Sequence, residues 1–239
     1  MLYMEFGMTY VVGHRGAAAI LPENTLKSFR YAIDLGVDFT ECDVHLTWDD
    51  HLVVMHDEHV DRTTNGTGAI RRMTFEAIRS LDAGGGEQVP TFDEVLDTVQ
   101  GKVKLLCELK GEGVEKAAVD AVIARKMEAD VTFTSFWMDR IKKVKARRED
   151  LAIAAIFGNP SDDAIANAIE MGVGRIEINY RNLCLRMVRQ VRDAGLDLTA
   201  WNPDTLEEQR AMIALGASGI CSNRPDILVE YLKNEATDR

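Results

Sequence analysis

Short apolar runs rich in β-branched residues recur along the chain and predict buried strands. Eight such runs are present, at residues 9–14, 37–46, 102–110, 131–136, 151–157, 174–178, 196–201 and 218–222. Segments with helical spacing of apolar residues lie between most of them, at 25–36, 114–127, 162–172, 186–195 and 205–216. Several of these segments end in glycine, which commonly terminates a helix. The alternation predicts an α/β fold, and its eightfold repetition predicts a (β/α)8 TIM barrel.

A doubly wound open sheet is the alternative that the same alternation allows. A nucleotide-binding sheet of that kind carries G-x-G-x-x-G after its first strand, whereas this chain has GHRGAA at 13–18. The barrel is therefore favoured. The chain has 239 residues, of which 46% are hydrophobic, and this is enough for one sizeable core. We predict a single TIM-barrel domain over residues 1–239.

One segment interrupts the alternation. The run LVVMHD at 52–57 follows the second strand after only the five residues TWDDH, which suits a hairpin and is too short for a crossover helix. An insertion then extends over about 58–90, after which TFDE at 91–94 has the pattern of a capping box that begins a new helix. Because the insertion follows the carboxyl end of a strand, we expect it at the mouth of the barrel, as a lid or small subdomain.

Charge and cysteine usage narrow the class of protein. The formal net charge of −11 argues against non-specific binding of nucleic acid, although a locally cationic pocket would still accept a small anion. The chain has neither a signal-peptide pattern at its start nor 18 consecutive apolar residues, so we predict a cytoplasmic protein without stable membrane insertion. The chain has four widely spaced cysteines, Cys42, Cys107, Cys184 and Cys221. We expect them to be free thiols in a reducing compartment.

Charged residues stand inside two of the apolar runs. In ECDV, Glu41 and Asp43 are two residues apart and share one face of the strand, and Glu108 and Lys110 do the same in CELK. Converging carboxylates repel one another unless they are protonated, paired or bound to a metal. A hard divalent cation such as Mg²⁺ or Ca²⁺ satisfies them best, which makes Glu41, Asp43 and Glu108 the candidate metal ligands.

Two histidines accompany this charged cluster. His14 ends the first run beside Arg15, and His56 lies where the insertion begins. A lone histidine is usually a hydrogen-bonded structural residue, but two imidazoles beside a metal and the cations Arg15 and Lys110 suit phosphate ester cleavage. The cations would hold the phosphate charge while one histidine takes a proton and the other donates one.

Other residues near these motifs receive weaker assignments. Trp201 ends the seventh run, where an indole would form an apolar wall of the site, although packing on a loop is an equally good explanation. Gly16 is expected to leave room for a ligand beside the backbone. The remaining histidines, His45, His51 and His59, are interpreted as bystanders.

Taken together and in this order, the motifs resemble those of the glycerophosphodiester phosphodiesterase family. The matching elements are HRG…PENT (14–25), ECDVHLTWDDHLVVMHD (41–57), DRTTNGTG (61–68), PTFDEVL (90–96), CELK (107–110) and the tryptophan of the seventh run. The resemblance implies a TIM-barrel phosphoric diester hydrolase that uses a divalent metal to cleave glycerophosphodiesters to sn-glycerol 3-phosphate and an alcohol. It also implies that the substrate's own 2-hydroxyl attacks phosphorus, so that no protein nucleophile is required.

The resemblance also implies a role for each site residue. His14 and His56 would act as general base and acid, while the metal would be held by Glu41, Asp43 and Glu108. Arg15 and Lys110 would bind phosphate oxygens, and Trp201 would line the side of the site that holds the glycerol or the leaving group.

The chain departs from the family pattern near its C-terminus. The family often has an acidic residue and Thr-Asp around the eighth strand, where this chain has Ser218, Ser222 and Asn223, and WNPDT (201–205) stands in place of Trp-Thr-Val-Asn. We expect these positions to lie along the variable part of the substrate and not at the histidines or the metal. Alternatives to a glycerophosphodiester therefore stay open: a lysophospholipid, an inositol or sphingosine ester, or a phosphate ligand bound without catalysis.

Overall fold

The structure, a computed structural model, describes residues 9–237, without the side chain of Thr237. The predicted domain also includes residues 1–8 and 238–239, which lie outside the described residues. The strands are β1 (Tyr10–Gly13), β2 (Phe39–Leu46), β3 (Leu52–Val54), β4 (Lys104–Leu109), β5 (Val131–Ser135), β6 (Ala152–Phe157), β7 (Arg175–Asn179), β8 (Asp197–Trp201) and β9 (Gly219–Ser222).

Eight of these strands form a closed parallel barrel. Within residues 9–237 the pairing runs β1-β2-β4-β5-β6-β7-β8-β9, and β9 pairs with β1 to close the ring. Each of the eight apolar runs of the sequence corresponds to one barrel strand, and β7 extends one residue past its run, to Asn179. The predicted (β/α)8 barrel is confirmed, and the doubly wound alternative is wrong because the sheet has no open parallel edge.

Helices surround the barrel and follow the strands. They are α1 (Leu26–Leu35), α2 (Phe75–Arg79), α3 (Phe92–Val99), α4 (Glu115–Ala124), α5 (Met138–Arg147), α6 (Asp162–Glu170), α7 (Leu185–Asp193), α8 (Leu206–Leu215) and α9 (Pro225–Thr237), with a short 3₁₀ turn at Ile70–Arg72. Thr25 caps α1 by accepting a hydrogen bond from the backbone of Ser28. The capping box predicted at TFDE is confirmed, since Thr91 and Glu94 exchange both of its hydrogen bonds.

Alternation along the strands sorts side chains between two layers. The outward-facing Cys42, Val44, Cys107 and Leu109 are buried beneath the helices in the main apolar core. A smaller apolar cluster fills the inside of the barrel, with Val12, Leu106 and Cys221 at its centre. Because the outward layer already provides the large core, inward positions at the carboxyl ends of the strands are available for charged residues.

The segment after β2 is a hairpin followed by a small substructure. β3 pairs antiparallel with β2, with Val44 opposite Val54, so the predicted hairpin is confirmed. The residues that follow have a separate small apolar cluster, and Arg62 joins them to the loop between β1 and α1 through Glu23. The apolar residues of the cluster are Val53, Met55, Val60, Ile70, Ile78, Ala83 and Val89.

Two further observations concern the cysteines and the length of the helices. The four cysteines, Cys42, Cys107, Cys184 and Cys221, are free, and all but Cys184 are buried. Over residues 9–237, the helices are either too short or too polar to cross a bilayer. The predicted division into one domain with an insertion over about 58–90 stays a prediction.

Candidate active site

The carboxyl ends of the barrel strands surround a cavity that opens to solvent. It brings together residues that lie far apart in the sequence, and every predicted site residue except Asp43 lines it. The lining residues are His14, Arg15, Glu41, His56, Glu108, Lys110, Phe136, Ile156, Glu177, Trp201, Asn202 and Cys221.

Three carboxylates converge at one side of this cavity. Glu41, Asp43 and Glu108 are all buried, and one oxygen of each lies within 4.8 Å of the others. Register explains the arrangement, because Asp43 and Glu108 are direct neighbours across β2 and β4, and Glu41 lies two residues before Asp43 on the same face. The predicted metal ligands therefore meet at one point.

The charges of this cluster are not balanced. Burial and the charge of Asp43 raise the pKa of Glu41, and they raise the pKa of Glu108 to about 8. For Asp43 the positive charges of Arg15 and Lys110 outweigh the effect of burial and lower its pKa to about 2. Three carboxylates thus share two cations, and the carboxyl groups of Glu41 and Glu108 favour the protonated form unless a further positive charge is present.

The donor set fits a hard divalent cation. All three groups offer oxygen, the ligand atom that Mg²⁺ and Ca²⁺ prefer. Within the described part of the chain, the buried Oδ1 of Asp43 accepts no hydrogen bond, although Lys110 Nζ lies 3.8 Å from it. A divalent cation would supply both the missing charge and the missing partner for this oxygen.

Arg15 fixes two of the carboxylates from the turn after β1. Its backbone N–H donates to Glu41 Oε2 at 3.0 Å, and its Nε lies 3.3 Å from Asp43 Oδ2. Its Nη1 donates to Glu23 of the PENT motif at 2.9 Å. Asn24 of the same motif donates to Asp43 Oδ2 at 2.9 Å. The motif therefore holds the carboxylates in place in addition to beginning α1.

Lys110 and two aromatic rings form a further part of the cavity wall. Lys110 Nζ donates to Glu108 Oε1 at 2.8 Å, and it lies 5.3 Å from the centre of the Phe136 ring. Phe136 in turn contacts Trp201 edge to face, with 5.8 Å between the ring centres. The predicted apolar wall at Trp201 thus has Phe136 as a second member.

Gly16 does not have the role that the sequence suggests. Its φ is +85°, and a Cβ built there would lie 2.3 Å from Ser28 Oγ. Ser28 Oγ occupies this space because it donates to Arg15 O and accepts from the Ala17 backbone N–H. The expectation that Gly16 leaves room for a ligand is wrong; the glycine permits a tight turn against α1.

We expect Gly16→Ala to destabilise the fold by about 2–4 kcal/mol, because it combines backbone strain with a steric clash in a packed turn. Gly172→Ala is the matched control, since Gly172 has a φ of +77° but no atom within 4 Å of a built Cβ. The control should lose only about 1 kcal/mol. Urea denaturation measures both values, and equal losses in the two variants would contradict the clash.

His14 is oriented by an amide and a carboxylate behind it. His14 Nδ1 lies 2.6 Å from Asn223 Oδ1, and Asn223 Nδ2 donates to Asp204 Oδ2 at 2.7 Å. Asp204 also accepts from the Asn223 backbone N–H and from Ser222 Oγ. Because the carboxylate is the acceptor, the amide nitrogen must face Asp204 and the amide oxygen must face His14. The Nδ1 of His14 therefore carries the proton, and in the neutral ring Nε2 is left with a free lone pair.

His56 is oriented by a charged group instead. Its Nδ1 donates to Asp57 Oδ1 at 2.6 Å, and Arg62 holds Asp57 through two hydrogen bonds, from Nε at 2.7 Å and from Nη2 at 3.0 Å. Arg62 also donates twice to Glu23, which is the partner of Arg15. The inserted segment is thereby connected to the turn after β1, and the two cavity residues His56 and Arg15 belong to one network of ion pairs.

Comparison with known proteins agrees with this geometry. The model of the glycerophosphoryl diester phosphodiesterase family matches residues 14–227. The chain belongs to this family. A glycerophosphodiester phosphodiesterase of Caldanaerobacter subterraneus subsp. tengcongensis is 34% identical over 94% of this chain and 98% of its own.

Two solved structures illustrate how similar the fold is. A glycerophosphodiester phosphodiesterase from Agrobacterium tumefaciens has 30% identity and a TM-score of 0.80, over 93% of this chain and all (100%) of that one. A phosphodiesterase of Oleispira antarctica, in complex with the product sn-glycerol-3-phosphate, has 23% identity and a TM-score of 0.85, over 94% of this chain and 96% of that one. The predicted family and enzyme class, phosphoric diester hydrolase, are confirmed.

Not every expectation for this family member agrees with the structure. Asn223 was expected along the variable part of the substrate, but it hydrogen-bonds His14 directly, so that expectation is wrong. Ser222 likewise holds Asp204 behind the histidine, and Ser218 accepts a backbone hydrogen bond from Leu198. Of the altered WNPDT segment, Trp201 and Asn202 line the cavity.

Several residues of the site were not assigned from the sequence. Arg62 belongs to a loop that carries no regular pattern, so no local signal identifies it. Phe136 ends the apolar run at 131–136, as Trp201 ends the seventh run, so its position was a usable signal. Glu177 had a usable signal, because RIEI at 175–178 places charged residues on one face of an apolar run, as ECDV and CELK do. His45 is a bystander in the sense that it does not line the cavity; it is buried, and its Nε2 lies 3.2 Å from the His56 carbonyl oxygen.

Proposed function

We propose that this chain hydrolyses glycerophosphodiesters to sn-glycerol 3-phosphate and an alcohol, with a divalent metal and with His14 and His56 as general base and general acid. The observation that carries the proposal is the meeting of two oriented imidazoles with three carboxylates and two cations in one cavity. The Oleispira relative, which was solved with sn-glycerol-3-phosphate as its product, supports the same product here.

The phosphate group would be held from two sides. Glu41, Asp43 and Glu108 would hold Mg²⁺ or Ca²⁺, and such a cation stabilises negative charge that develops on phosphate oxygens. Arg15 and Lys110 would bind phosphate oxygens directly, since both cations line the cavity beside the carboxylates. Positive charge is thereby concentrated where the negative charge of the transition state develops.

The proton transfers follow from the two imidazoles. His14 Nε2 would accept the proton of the substrate's 2-hydroxyl as that oxygen attacks phosphorus, and His56 would protonate the oxygen of the departing alcohol. The resulting cyclic phosphate is opened by water with the two roles exchanged. A protein nucleophile is not required in either step.

The partners of the two histidines favour these roles. Burial and the nearby guanidinium of Arg15 lower the pKa of His14 to about 4, so this ring is neutral at pH 7 and can accept a proton. Burial also lowers the pKa of His56, but the carboxylates of Asp43 and Asp57 act against that effect. A bound phosphate adds further negative charge, which favours the imidazolium form of His56. A neutral amide behind the base and a carboxylate behind the acid separate the two functions.

We expect Asp57→Asn to lower kcat/KM at pH 7.5 roughly 10- to 100-fold, part of the effect that a positioned acid supplies. Removing the negative charge lowers the pKa of His56, so the acid form is lost at lower pH and the alkaline limb of the kcat/KM profile moves to lower pH. The acidic limb, set by His14, should stay in place. Asp61→Asn is the matched control, because Asp61 faces the exposed His59 at 3.6 Å in the same segment. An unmoved alkaline limb in Asp57→Asn would contradict the role of His56.

A substrate panel tests the proposed function. Purified chain with Mg²⁺, Ca²⁺ or Mn²⁺ is incubated with glycerophosphocholine, glycerophosphoethanolamine, glycerophosphoinositol, lysophosphatidylcholine and a sphingosine phosphodiester, and glycerol 3-phosphate is detected with a coupled enzyme. We expect release from the water-soluble glycerol diesters. Release of alcohol only from the lipid diesters would favour the lysophospholipid or sphingosine alternative, and binding without turnover would favour a non-catalytic role. A cytoplasmic location stays a prediction.

A further inference from the structure

Glu177 is a cavity residue that the proposed chemistry does not use. Its side chain is 3% exposed, and it lines the same cavity as His14, Glu41 and Glu108. It projects inward from β7, at the deep end of the cavity beside Ile156 and Cys221, which are also buried. The residue therefore forms part of the floor, whereas His56 and Phe136 lie at the more exposed rim.

A hydrogen bond to Thr134 connects this carboxyl to β5, the strand beside that of Glu108. Thr134 Oγ1 on β5 donates to Glu177 Oε1 at 3.0 Å. Thr134 is the direct neighbour of Glu108 across β4 and β5, and on its other side it pairs with Ala154 of β6. The small side chain of Ala154 allows Glu177 to reach over β6 to Thr134. Thr134 thus lies between Glu177 of β7 and Glu108 of β4.

The carboxyl of Glu177 has hydrogen-bonding capacity left. Among residues 9–237, Thr134 is the one hydrogen-bond partner described for it. Arg175 shares its face of β7, but no ion pair joins the two, and the guanidinium instead lies over the rings of Tyr10 and Phe39, 4.7 and 4.3 Å from their centres. Buried polar groups are normally satisfied, so a carboxyl with one partner at the floor of a cavity indicates a partner from the ligand. Burial raises the pKa of Glu177, and a protonated carboxyl can both donate to and accept from a hydroxyl group.

We propose that Glu177 forms a hydroxyl-binding subsite that recognises the free terminal hydroxymethyl group of the glycerol moiety. The inference rests on the proposed function, because it deepens the choice of substrate at the same site. When the phosphate lies at the cations and the 2-hydroxyl at His14, the terminal hydroxyl is the remaining polar group of glycerol. Glu177 offers it a polar partner at the floor, beside the apolar side chains of Ile156 and Cys221. A diester with an acylated terminal hydroxyl should therefore be a poor substrate, which disfavours the lysophospholipid alternative.

Two substrates that differ by one oxygen atom test the subsite. They are glycero-3-phosphocholine and its analogue with propane-1,2-diol in place of glycerol, which keeps the attacking 2-hydroxyl and lacks the terminal one. We expect the wild-type chain to favour the glycerol diester by about 10- to 100-fold in kcat/KM, the effect of one hydrogen bond to a charged or strongly polar group. In Glu177→Leu this preference should fall below threefold, through loss of activity on the glycerol diester alone.

Variants and a binding measurement keep the test decisive. Glu177→Gln preserves side-chain volume and the acceptor for Thr134, so it should fold and keep part of the preference for the glycerol diester. The matched control is Glu115→Gln, because Glu115 is a buried glutamate on α4 that pairs with Lys143. This control should keep the whole preference. An unchanged preference in Glu177→Leu, equal losses on both substrates, or no preference in the wild type would overturn the inference. Calorimetry with glycerol 3-phosphate and propane-1,2-diol 1-phosphate measures the subsite without turnover. Equal affinities would overturn the subsite, whereas failure of the wild type to cleave either diester would overturn the proposed function.

Discussion

Replacing His14 with alanine is expected to lower kcat for glycerophosphocholine about 10²- to 10⁴-fold, the range that a positioned general base supplies. The cause is geometric. Asn223 holds Nδ1 at 2.6 Å, and Nε2 faces the carboxylate cluster, 3.9 Å from Glu41 Oε2. His56 is held by Asp57, and we propose that it is the general acid, so it should not replace the missing base. KM should change less than kcat, because Arg15 and Lys110, the cations proposed to bind phosphate, remain.

The matched control for this variant is His59→Ala. His59 is exposed and paired with Asp61, outside the cavity, so its loss should leave kcat within about twofold of wild type. Both proteins should melt at nearly the same temperature, which separates catalysis from folding. If His14→Ala retained more than a tenth of wild-type kcat, His14 would not be the base.

The second large effect is expected for Glu108→Gln, which keeps side-chain volume while removing one charge of the proposed metal site. We expect the metal concentration for half-maximal turnover to rise at least 10- to 100-fold. Even residues that only hydrogen-bond to metal ligands contribute that much to metal affinity. Turnover at limiting metal should be correspondingly low. Titration of activity with Mg²⁺ and with Ca²⁺ measures this shift.

Melting temperature gives an independent readout for the same variant. Burial and Asp43 raise the pKa of Glu108 from 4.5 to about 8, so the metal-free fold loses stability as pH rises through this interval and the carboxyl is forced to ionise. Without metal at pH 7, Glu108→Gln should therefore melt at or above the wild-type temperature. Added metal should raise the melting temperature of the wild type and of the control Glu115→Gln. The melting temperature of Glu108→Gln should rise much less. An equal metal-induced rise in Glu108→Gln would remove Glu108 from the ligand set.

The parts of the structure that the sequence predicted are those with a local cause. Alternating faces in ECDV and CELK place Glu41, Asp43 and Glu108 inward, because side chains on a strand alternate and a barrel has one inner face. TFDE predicted a helix start because a cap involves neighbours in the chain. The apolar runs predicted each strand because a buried strand must be apolar on its outward side.

The parts that were missed depend on contacts between distant segments. Asn223 meets His14 across 209 positions of sequence, and Arg62 meets Glu23 across 39. Neither contact has a periodic signal. Helix α5 also has a weak pattern, because only Ile141 and Val144 of its ten residues are buried and most of the others are charged. Gly16 was misassigned because a small residue in a turn can make room either for a ligand or for a packed side chain.

The most direct test of metal-dependent diester hydrolysis is the release of glycerol 3-phosphate from glycerophosphocholine by wild-type chain that has first been stripped with EDTA. One oxygen of each of Glu41, Asp43 and Glu108 lies within 4.8 Å of the others, and we propose that these residues hold a divalent cation. We expect no measurable product from the stripped chain and full recovery when Mg²⁺ or Ca²⁺ is returned. Product formed at the same rate in EDTA as in metal would contradict metal dependence.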